Sequence, residues 1–166
     1  MAHTPRLDRQ TALFVCTGNS ARSILAEGLL NHLGAGRFVA CSAGSQPKGA
    51  VHPLALRTLA DWGISTEGMR SKSWDEFARP GAPALDLVIT VCDNAAGETC
   101  PLWPGQPLRA HWGVPDPAAV EGSEEVQMRA FLNAAQTLRR RIELMLALPA
   151  LDGVALAREV AAIGRR

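Results

Sequence analysis

The sequence predicts an α/β protein, a three-layer sandwich in which helices cover both faces of a small four-stranded parallel sheet. Short apolar runs of strand length alternate along the chain with longer runs that repeat apolar residues every three or four positions, which is typical of parallel sheets with crossover helices. The run over residues 87–91 is almost continuously apolar, as expected for a strand covered on both faces. A chain of 166 residues is long enough for one domain with a substantial core.

The first half of the chain contributes two strands and two helices. The strands are predicted over residues 12–15 and 38–42, where apolar side chains run together. A helix over about 22–33 carries leucines every four residues on one face. A second helix begins at Pro53, because proline is favoured at the first helical position, and it ends before Gly63. Its inward face is predicted from three apolar residues: Leu56, Leu59 and Ala60.

The second half contributes two strands, a short helix and a long one. Ser73 and Glu76 match a capping box that opens the short helix. The strands follow over residues 87–91 and about 108–112. The long helix starts near Ser123. Its apolar residues recur in steps of four and three: Phe131, Ala135, Leu138, Ile142 and Met145.

The chain divides into three parts of unequal size. Residues 1–10 are polar and form a flexible lead-in, and residues 11–149 form the single domain. Residues 150–166 form a helical appendage that packs on the same domain. The helix predicted over 152–163 repeats the apolar step with three residues: Leu156, Val160 and Ile163.

Composition excludes several classes of function. Seventeen basic and sixteen acidic residues leave a net charge of +1, so no nucleic-acid or membrane-surface partner is expected. No apolar stretch approaches the ~20 residues that span a bilayer, and residues 1–10 lack the apolar region of a signal peptide. We therefore expect a cytoplasmic monomer. In that compartment four cysteines are more often catalytic or redox-active than structural.

The segment with the clearest chemistry lies between the first strand and the first helix. The loop ends at a helix N-terminus, where unpaired N–H groups and the helix dipole attract an anion. Arg22 adds a planar fork of donors that matches a tetrahedral oxyanion. The same positive field stabilises a thiolate at Cys16, whereas the alternative interpretation of this cysteine is a small buried hydrophobe. The predicted oxyanion-binding residues are Thr17, Gly18, Asn19, Ser20, Ala21, Arg22 and Ser23.

Two further cysteines lie at the two ends of a segment rich in small and turn-forming residues. Cys92 follows the third strand and Cys100 lies eight positions later. A mobile thiol beside an activated thiolate is what sequential thiol–disulfide exchange requires. A zinc site at this pair with His111 is the rival interpretation, although seven intervening residues exceed the usual two to four. Cys41 lies inside the second strand and is predicted to be structural.

Asp116 precedes Pro117, and two interpretations of it stay open. An aspartate before proline is commonly a turn residue, but one held near the oxyanion loop can protonate a leaving oxygen. Open α/β sheets bind ligands beyond the carboxyl ends of their strands. Cys16, Cys92 and the loop before Asp116 all fall at such ends, which predicts one shared site.

The residues described above, taken together, are similar to the motifs of a known protein family. The chain is similar to arsenate reductases built on the low-molecular-weight protein tyrosine phosphatase fold. The similarity implies a phosphatase-like fold, and the thiols at Cys92 and Cys100 indicate the reductase branch. The matching segments are residues 15–23, 42–44, 51–53, 71–74, 91–93, 100–101, 111–113 and 116–117.

The resemblance implies a relay of three thiols that reduces arsenate to arsenite for arsenic detoxification. Cys16 attacks arsenate held by the loop and by Arg22, and Asp116 protonates the departing oxygen. Cys92 then attacks Cys16 and arsenite leaves. Cys100 finally attacks Cys92, which leaves a Cys92–Cys100 disulfide.

The same resemblance implies supporting roles and an external source of electrons. Ser23 is expected to donate a hydrogen bond to the sulfur of Cys16, and Asn19 to hold the loop in shape. Neither a metal nor a tightly bound cofactor is expected. A thioredoxin-like protein, or else glutaredoxin or a low-molecular-weight thiol, is expected to reduce the final disulfide.

Two other functions are weighed against reduction. A low-molecular-weight protein tyrosine phosphatase would need the same nucleophile, arginine and acid. Phosphatases of this fold typically follow the acid with tyrosines and carry another cysteine in the loop, whereas this chain has no tyrosine and has Ala118 and Ala21 there. A non-enzymatic redox or arsenic sensor is the third hypothesis, and no partner-binding module accompanies the thiols to favour it.

Overall fold

The strands form one parallel sheet at the centre of the molecule. The structure is a computed structural model that describes residues 9–92, 103, 105–149 and 153–166. The strands are β1 (Gln10–Cys16), β2 (Phe38–Gly44), β3 (Leu87–Thr90) and β4 (Leu108–His111). All pairs are parallel, and the order across the sheet is β2, β1, β3, β4. The predicted four-stranded parallel sheet is therefore confirmed.

In the residues that the structure describes, four helices and two short 3₁₀ turns accompany the sheet. The helices are α1 (Arg22–Leu33), α2 (Pro53–Asp61), α3 (Glu124–Leu146) and α4 (Gly153–Ile163). The turns are Trp74–Phe77 and Pro117–Ala119. Each helix begins within a residue or two of its predicted start, because capping residues and apolar periodicity are local signals. In the part of the chain that the structure covers, no helix is long and apolar enough to cross a bilayer.

The two central strands are buried on both faces. Residues 12–15 of β1 have no solvent exposure, and all of β3 is buried. Successive side chains of a strand point to opposite faces, so both faces of the sheet must be covered, which is the layered α/β architecture that the apolar runs predict. Val15 pairs with Thr90, and Cys16 pairs with Gly44 of β2. The carboxyl ends of β1 and β3 therefore lie side by side.

The inward face of α2 differs from the predicted one. Leu56 is only partly buried and Ala60 is exposed, whereas Thr58 has no exposure. The hydroxyl of Thr58 donates to the carbonyl oxygen of Leu54 at 2.7 Å. A polar side chain can occupy the core there because its hydrogen bond is satisfied within the helix. The residues that α2 buries are Leu54, Ala55, Thr58 and Leu59.

The short helix after Ser73 is a 3₁₀ turn rather than a helix with a capping box. Ser73 Oγ accepts from the backbone N–H of Asp75 at 3.1 Å. The Glu76 carboxylate pairs instead with the Arg70 guanidinium, at 2.6 and 3.0 Å. This hydrogen bond lowers the pKa of Glu76 below its usual value. A bidentate guanidinium outcompetes a backbone N–H for a carboxylate, so Glu76 does not return to the cap.

The last helix packs against the edge of the sheet at β4. Leu156, Val160 and Ile163 are buried as predicted. The indole N–H of Trp112, just after β4, donates to the carbonyl oxygen of Val160 at 2.9 Å. Gly164 lies so close to the His111 carbonyl oxygen that a Cβ there would overlap it. The helix therefore covers the indole of Trp112, the residue that follows β4.

Candidate active site

Cys16 lies at the carboxyl end of β1 with its sulfur directed at the start of α1. The residue is 3% exposed. Its Sγ accepts from the backbone N–H of Asn19 at 3.2 Å and lies 2.9 Å from Ser23 Oγ, in the first turn of α1. Hydrogen bonds to the charged form of a group favour that form. This environment can hold a thiolate.

The loop over residues 17–21 turns its carbonyl groups outward. The donors are Gln46 N to Thr17 O, Lys48 N to Gly18 O and His52 N to Ser20 O, each at 2.9 Å. In a trans peptide the carbonyl and the next N–H point in opposite directions. The N–H groups of residues 18, 19 and 21 therefore point away from the β2–α2 loop, and that of Asn19 donates to Cys16 Sγ. A concave row of N–H groups at a helix N-terminus is an oxyanion site.

Asn19 is the residue that holds this loop in shape. Its φ is +47°, in the left-handed region that asparagine tolerates better than most residues. Its Oδ1 accepts from the backbone N–H of Lys72 at 2.8 Å, and because that group can only donate, the orientation of the amide is determined. Asn19 Nδ2 then donates to Ser23 Oγ at 2.8 Å and to Ser42 Oγ at 3.0 Å. Ser23 keeps its own hydrogen for the sulfur of Cys16.

The network continues to a carboxylate on α1. Ser42 Oγ donates to Glu27 Oε1 at 2.5 Å. Burial lowers the pKa of Lys72, and the nearby Glu27 charge partly opposes this effect. Glu27 is a member of this hydrogen-bond network that the sequence analysis missed. Its position four residues after Ser23, on the same helical face, was the available signal.

Gly44 is required where the second strand meets the loop. A Cβ at Gly44 would lie 2.5 Å from Thr17 O and 3.0 Å from Asn19 N. No real side chain approaches a backbone oxygen so closely. The glycine therefore lets the end of β2 support the oxyanion loop directly.

Arg22 and Asp116 approach each other at the cleft. Arg22 Nη1 donates to the Val114 carbonyl oxygen at 3.0 Å, and its Nη2 lies 3.7 Å from Asp116 Oδ2. Asp116 Oδ1 accepts from the Ala118 N–H at 2.9 Å and caps the turn Pro117–Ala119. The two interpretations of Asp116 thus describe different oxygens. Oδ1 organises a turn, and Oδ2 faces the guanidinium at the oxyanion site.

The second thiol lies beside the loop. Cys92 follows β3 and is 3% exposed, and its Sγ lies 3.6 Å from Thr17 Oγ1. The Val114 N–H donates to Val91 O at 3.1 Å, which ties the segment leading to Asp116 to the residue before Cys92. Three chain segments predicted to share a site therefore converge at one edge of the sheet. Cys100 lies outside the described residues.

The remaining thiol and histidine lie away from the cleft. Cys41 is half-buried in β2, where burial and then the Glu27 charge raise the pKa of its thiol. His111 Nδ1 lies 2.7 Å from Thr90 Oγ1. Within the described ranges, which exclude Cys100, no group of three His, Cys, Asp or Glu side chains could hold a metal ion.

The site opens into a cleft of about 370 Å³. Its lining in the described part of the chain contains no aromatic side chain. The lining consists of Cys16, residues 17–21, Arg22, Gln46, Lys48 and Asp116. The cationic side chains of Arg22 and Lys48 in this lining suit a compact anion.

Comparison with known proteins places the chain among similar sequences and structures. The model of the low molecular weight phosphotyrosine protein phosphatase family matches residues 11–159, which include every residue lining the cleft. An arsenate reductase of Bacillus licheniformis is 37% identical over 138 residues, 82% of this chain and 95% of that protein.

Two solved structures are similar in fold. A structure described as an arsenate reductase in the phosphate binding state has a TM-score of 0.61 at 27% identity, covering 83% of this chain and 97% of that one. The thioredoxin-dependent arsenate reductase of Corynebacterium glutamicum has a TM-score of 0.54 at 26% identity, covering 82% of this chain and 63% of that one.

Proposed function

Because the chain belongs to the low molecular weight phosphotyrosine protein phosphatase family, and its curated relatives are arsenate reductases, we propose that its cleft reduces arsenate to arsenite with Cys16 as the nucleophile. The chain is an arsenate reductase on a phosphatase-like fold. One observation supports the thiol chemistry most directly. A second buried thiol, at Cys92, lies 3.6 Å from the hydroxyl of Thr17, the residue that follows the nucleophile.

Arsenate binds in this proposal at the positive end of α1. The inward N–H groups of the loop and the Arg22 guanidinium hold its oxygens, as charge-assisted hydrogen bonds of fixed geometry. The Cys16 thiolate, held by Asn19 N–H and Ser23 Oγ, then lies at the base of the site for attack on the arsenic atom.

The first chemical step exchanges one oxygen of arsenate for sulfur. The Cys16 thiolate attacks, a bond forms between sulfur and arsenic(V), and the bond from arsenic to a hydroxyl group of monoprotonated arsenate breaks, so that this oxygen departs as water after receiving one proton. Asp116 Oδ2 is the proton donor for that oxygen, because Oδ1 is occupied by the Ala118 N–H. A positioned acid typically contributes ~10²–10⁴ in rate.

The second step transfers the electrons. The Cys92 thiolate attacks the sulfur of Cys16, and the sulfur–arsenic electron pair moves to arsenic, which leaves as arsenite. A Cys16–Cys92 disulfide remains. The Thr17 hydroxyl, 3.6 Å from Cys92 Sγ, is placed to orient the attacking sulfur. Cys100 then attacks Cys92, which frees Cys16 and forms a Cys92–Cys100 disulfide.

The electrons come from an external thiol reductant. We propose a thioredoxin-type protein as that partner, since one structural relative is described as thioredoxin-dependent. Glutaredoxin or a low-molecular-weight thiol is the alternative donor. We further propose that the protein works as a monomer in the cytoplasm, where thiols are kept reduced.

The features of the cleft favour reduction over phosphate-ester hydrolysis. An aryl phosphate needs an apolar or aromatic wall beside the nucleophile, whereas the described lining of this cleft has no aromatic residue and the whole sequence has no tyrosine. A hydrolase also needs no second thiol beside Thr17, the residue that follows its nucleophile.

Disulfide mapping tests this proposal. The fully reduced protein is mixed with arsenate in the absence of reductant, and its disulfides are identified by mass spectrometry. We expect one arsenite per chain together with a Cys92–Cys100 disulfide. Cys100→Ser should complete one turnover and stop as a Cys16–Cys92 disulfide, and Cys16→Ser should remain reduced.

The fourth thiol supplies the matched control. Cys41→Ser should behave as the natural protein, because Cys41 lies in β2 outside the cleft lining. An unchanged thiol count after arsenate treatment would contradict the relay. So would rapid aryl phosphate turnover that survives Cys92→Ser.

A further inference from the structure

Lys48 lies on the β2–α2 loop, and its backbone is tied to the oxyanion loop. Its N–H donates to Gly18 O at 2.9 Å. The next residue, Gly49, donates its N–H to Ser71 Oγ at 3.1 Å, and Ser71 Oγ in turn donates to Gly18 O at 3.2 Å. Lys48 is therefore anchored at the oxyanion site even though its side chain is exposed.

The side-chain stem of Lys48 runs across the surface of Gly18. A Cβ at Gly18 would lie 3.1 Å from Lys48 Cε, 3.3 Å from Cγ and 3.4 Å from Cδ. Three successive methylene positions thus contact the space beside one loop residue. The absence of a side chain at Gly18 leaves room for this stem, which directs the ammonium group along the cleft that Lys48 lines.

The ammonium group is available to a ligand. In the described part of the chain, Lys48 forms no ion pair within 4.0 Å. Lys72 Nζ, by contrast, donates to Arg70 O at 2.8 Å. Arg22, which holds the oxyanion in the proposed function, is oriented by Val114 O and Asp116. The field of Lys48 also reaches across the loop, because after burial it is the main cause of the lowered pKa of His52.

The charge balance of the cleft depends on this lysine. The charged side chains among its described lining residues are Arg22, Lys48 and Asp116. Arg22 Nη2 lies 3.7 Å from the Asp116 carboxylate, whereas no described carboxylate lies within 4.0 Å of the Lys48 ammonium group. Lys48 therefore adds a positive charge that no neighbouring carboxylate offsets, and such a charge attracts anions to the cleft.

We propose that Lys48 is a substrate-binding residue whose ammonium group contacts the bound oxyanion and selects a compact, doubly charged inorganic oxyanion. This inference rests on the proposed function, because it names the ligand class of the same cleft. Arsenate and its analogue phosphate belong to that class. A cation on a flexible stem at a solvent-exposed edge accommodates a small free anion, and the described lining of the cleft has no aromatic side chain to hold an aryl group.

The test uses two substitutions at Lys48 and one remote control. Lys48→Met keeps the apolar stem over Gly18 and removes the charge, and Lys48→Arg keeps the charge. Arg140→Gln removes one exposed positive charge from α3, outside the cleft lining. Phosphate affinity is measured as protection of Cys16 from iodoacetamide, and KM and kcat are measured with arsenate.

We expect Lys48→Met to raise the phosphate dissociation constant and the arsenate KM about tenfold, with kcat changed less than about twofold. Lys48→Arg should stay within about threefold of the natural protein, and Arg140→Gln should match it. Added salt should weaken phosphate binding by the natural protein more than binding by Lys48→Met. Unchanged phosphate affinity in Lys48→Met would overturn the inference.

Phosphate protection requires no turnover, which separates this inference from the proposed function. If Lys48→Met weakens phosphate binding but arsenate produces no disulfide in the natural protein, the lysine assignment stands and the reductase chemistry fails. If arsenate forms the disulfides in the natural protein and Lys48→Met binds phosphate normally, the reductase chemistry stands and the lysine assignment fails.

Discussion

Arg22 shows how one residue serves two purposes at the site. Its guanidinium donates to the Val114 carbonyl oxygen and lies 3.7 Å from Asp116, so the backbone of the loop after β4 positions it before any substrate arrives. A planar fork held in this way is pre-organised for a tetrahedral oxyanion, since little rotational freedom is lost on binding.

Arg22→Lys is therefore expected to lower kcat/KM for arsenate by about 10²–10³, the usual effect of losing one well-placed oxyanion donor. An ammonium group keeps the charge but cannot contact two oxygens in a fixed geometry. Steady-state arsenite production checks this, with far-UV circular dichroism as the folding control. Retention of more than about a tenth of the natural kcat/KM would show that charge alone suffices.

Asn19 likewise serves several purposes with one side chain. One side chain contacts three chain segments, through Lys72 N, Ser42 Oγ and Ser23 Oγ. Buried polar groups that lose a partner each cost about 1–3 kcal/mol, so the whole loop depends on this amide. The family resemblance implied that this asparagine holds the loop in shape, and the structure identifies its hydrogen-bond partners.

At the scale of elements, the N-termini of two helices hold residues with specific roles. The α1 N-terminus faces the oxyanion site, and the α2 N-terminus is capped by His52, whose Nδ1 accepts from Leu54 N at 3.1 Å. The His52 ring also packs on Phe131 at 4.6 Å between centroids. A ring nitrogen that accepts a hydrogen bond carries no proton, so this cap requires the neutral imidazole.

This cap makes stability depend on pH. Burial, followed by the positive charge of Lys48, lowers the pKa of His52 from its ordinary value of 6.5. Below that ordinary value the unfolded chain binds a proton that the folded chain does not, so stability is full above it and falls as the pH drops toward the folded pKa.

His52→Asn is expected to flatten that fall, because asparagine caps helices well and does not titrate. The measurement is the urea midpoint of both proteins between about pH 5 and pH 8. The difference between the two curves isolates His52 from the other histidines, and parallel curves would show that its protonation is not linked to folding.

At the scale of the whole molecule, α4 completes the core at the β4 edge. We propose that residues 150–166 belong to the same folding unit as the rest of the domain. Burial of Leu156, Val160 and Ile163 and the hydrogen bond from the Trp112 indole to Val160 O support this. Complete burial of one large apolar side chain typically stabilises the folded state by about 1.5–3 kcal/mol.

Two valines on this helix provide a matched test. Val160 is fully buried and Val154 is 74% exposed. Val160→Ala should lower the free energy of unfolding by about 2 kcal/mol, and Val154→Ala should change it by less than about 0.5 kcal/mol. Urea denaturation measures both. Equal effects of the two substitutions would contradict the packing of α4 on the domain.

The sequence by itself determined the order of strands and helices along the chain, their approximate bounds and the position of the loop between β1 and α1. Each of these depends on residues close together in the chain: apolar runs, caps, and the spacing from Cys16 to Arg22. Such signals are local, because a strand or a helix N-terminus is built from consecutive residues.

Only the tertiary structure decided which distant residues serve the site. Four residues far from the loop in sequence or in pattern contact it or its partners: Lys48, Ser42, Glu27 and Lys72. Arg70 pairs with Glu76, which therefore does not form its expected cap. Thr58, rather than a more apolar neighbour, enters the core. These outcomes depend on competition among partners that come together only when the sheet forms, and no periodicity along the chain encodes that competition.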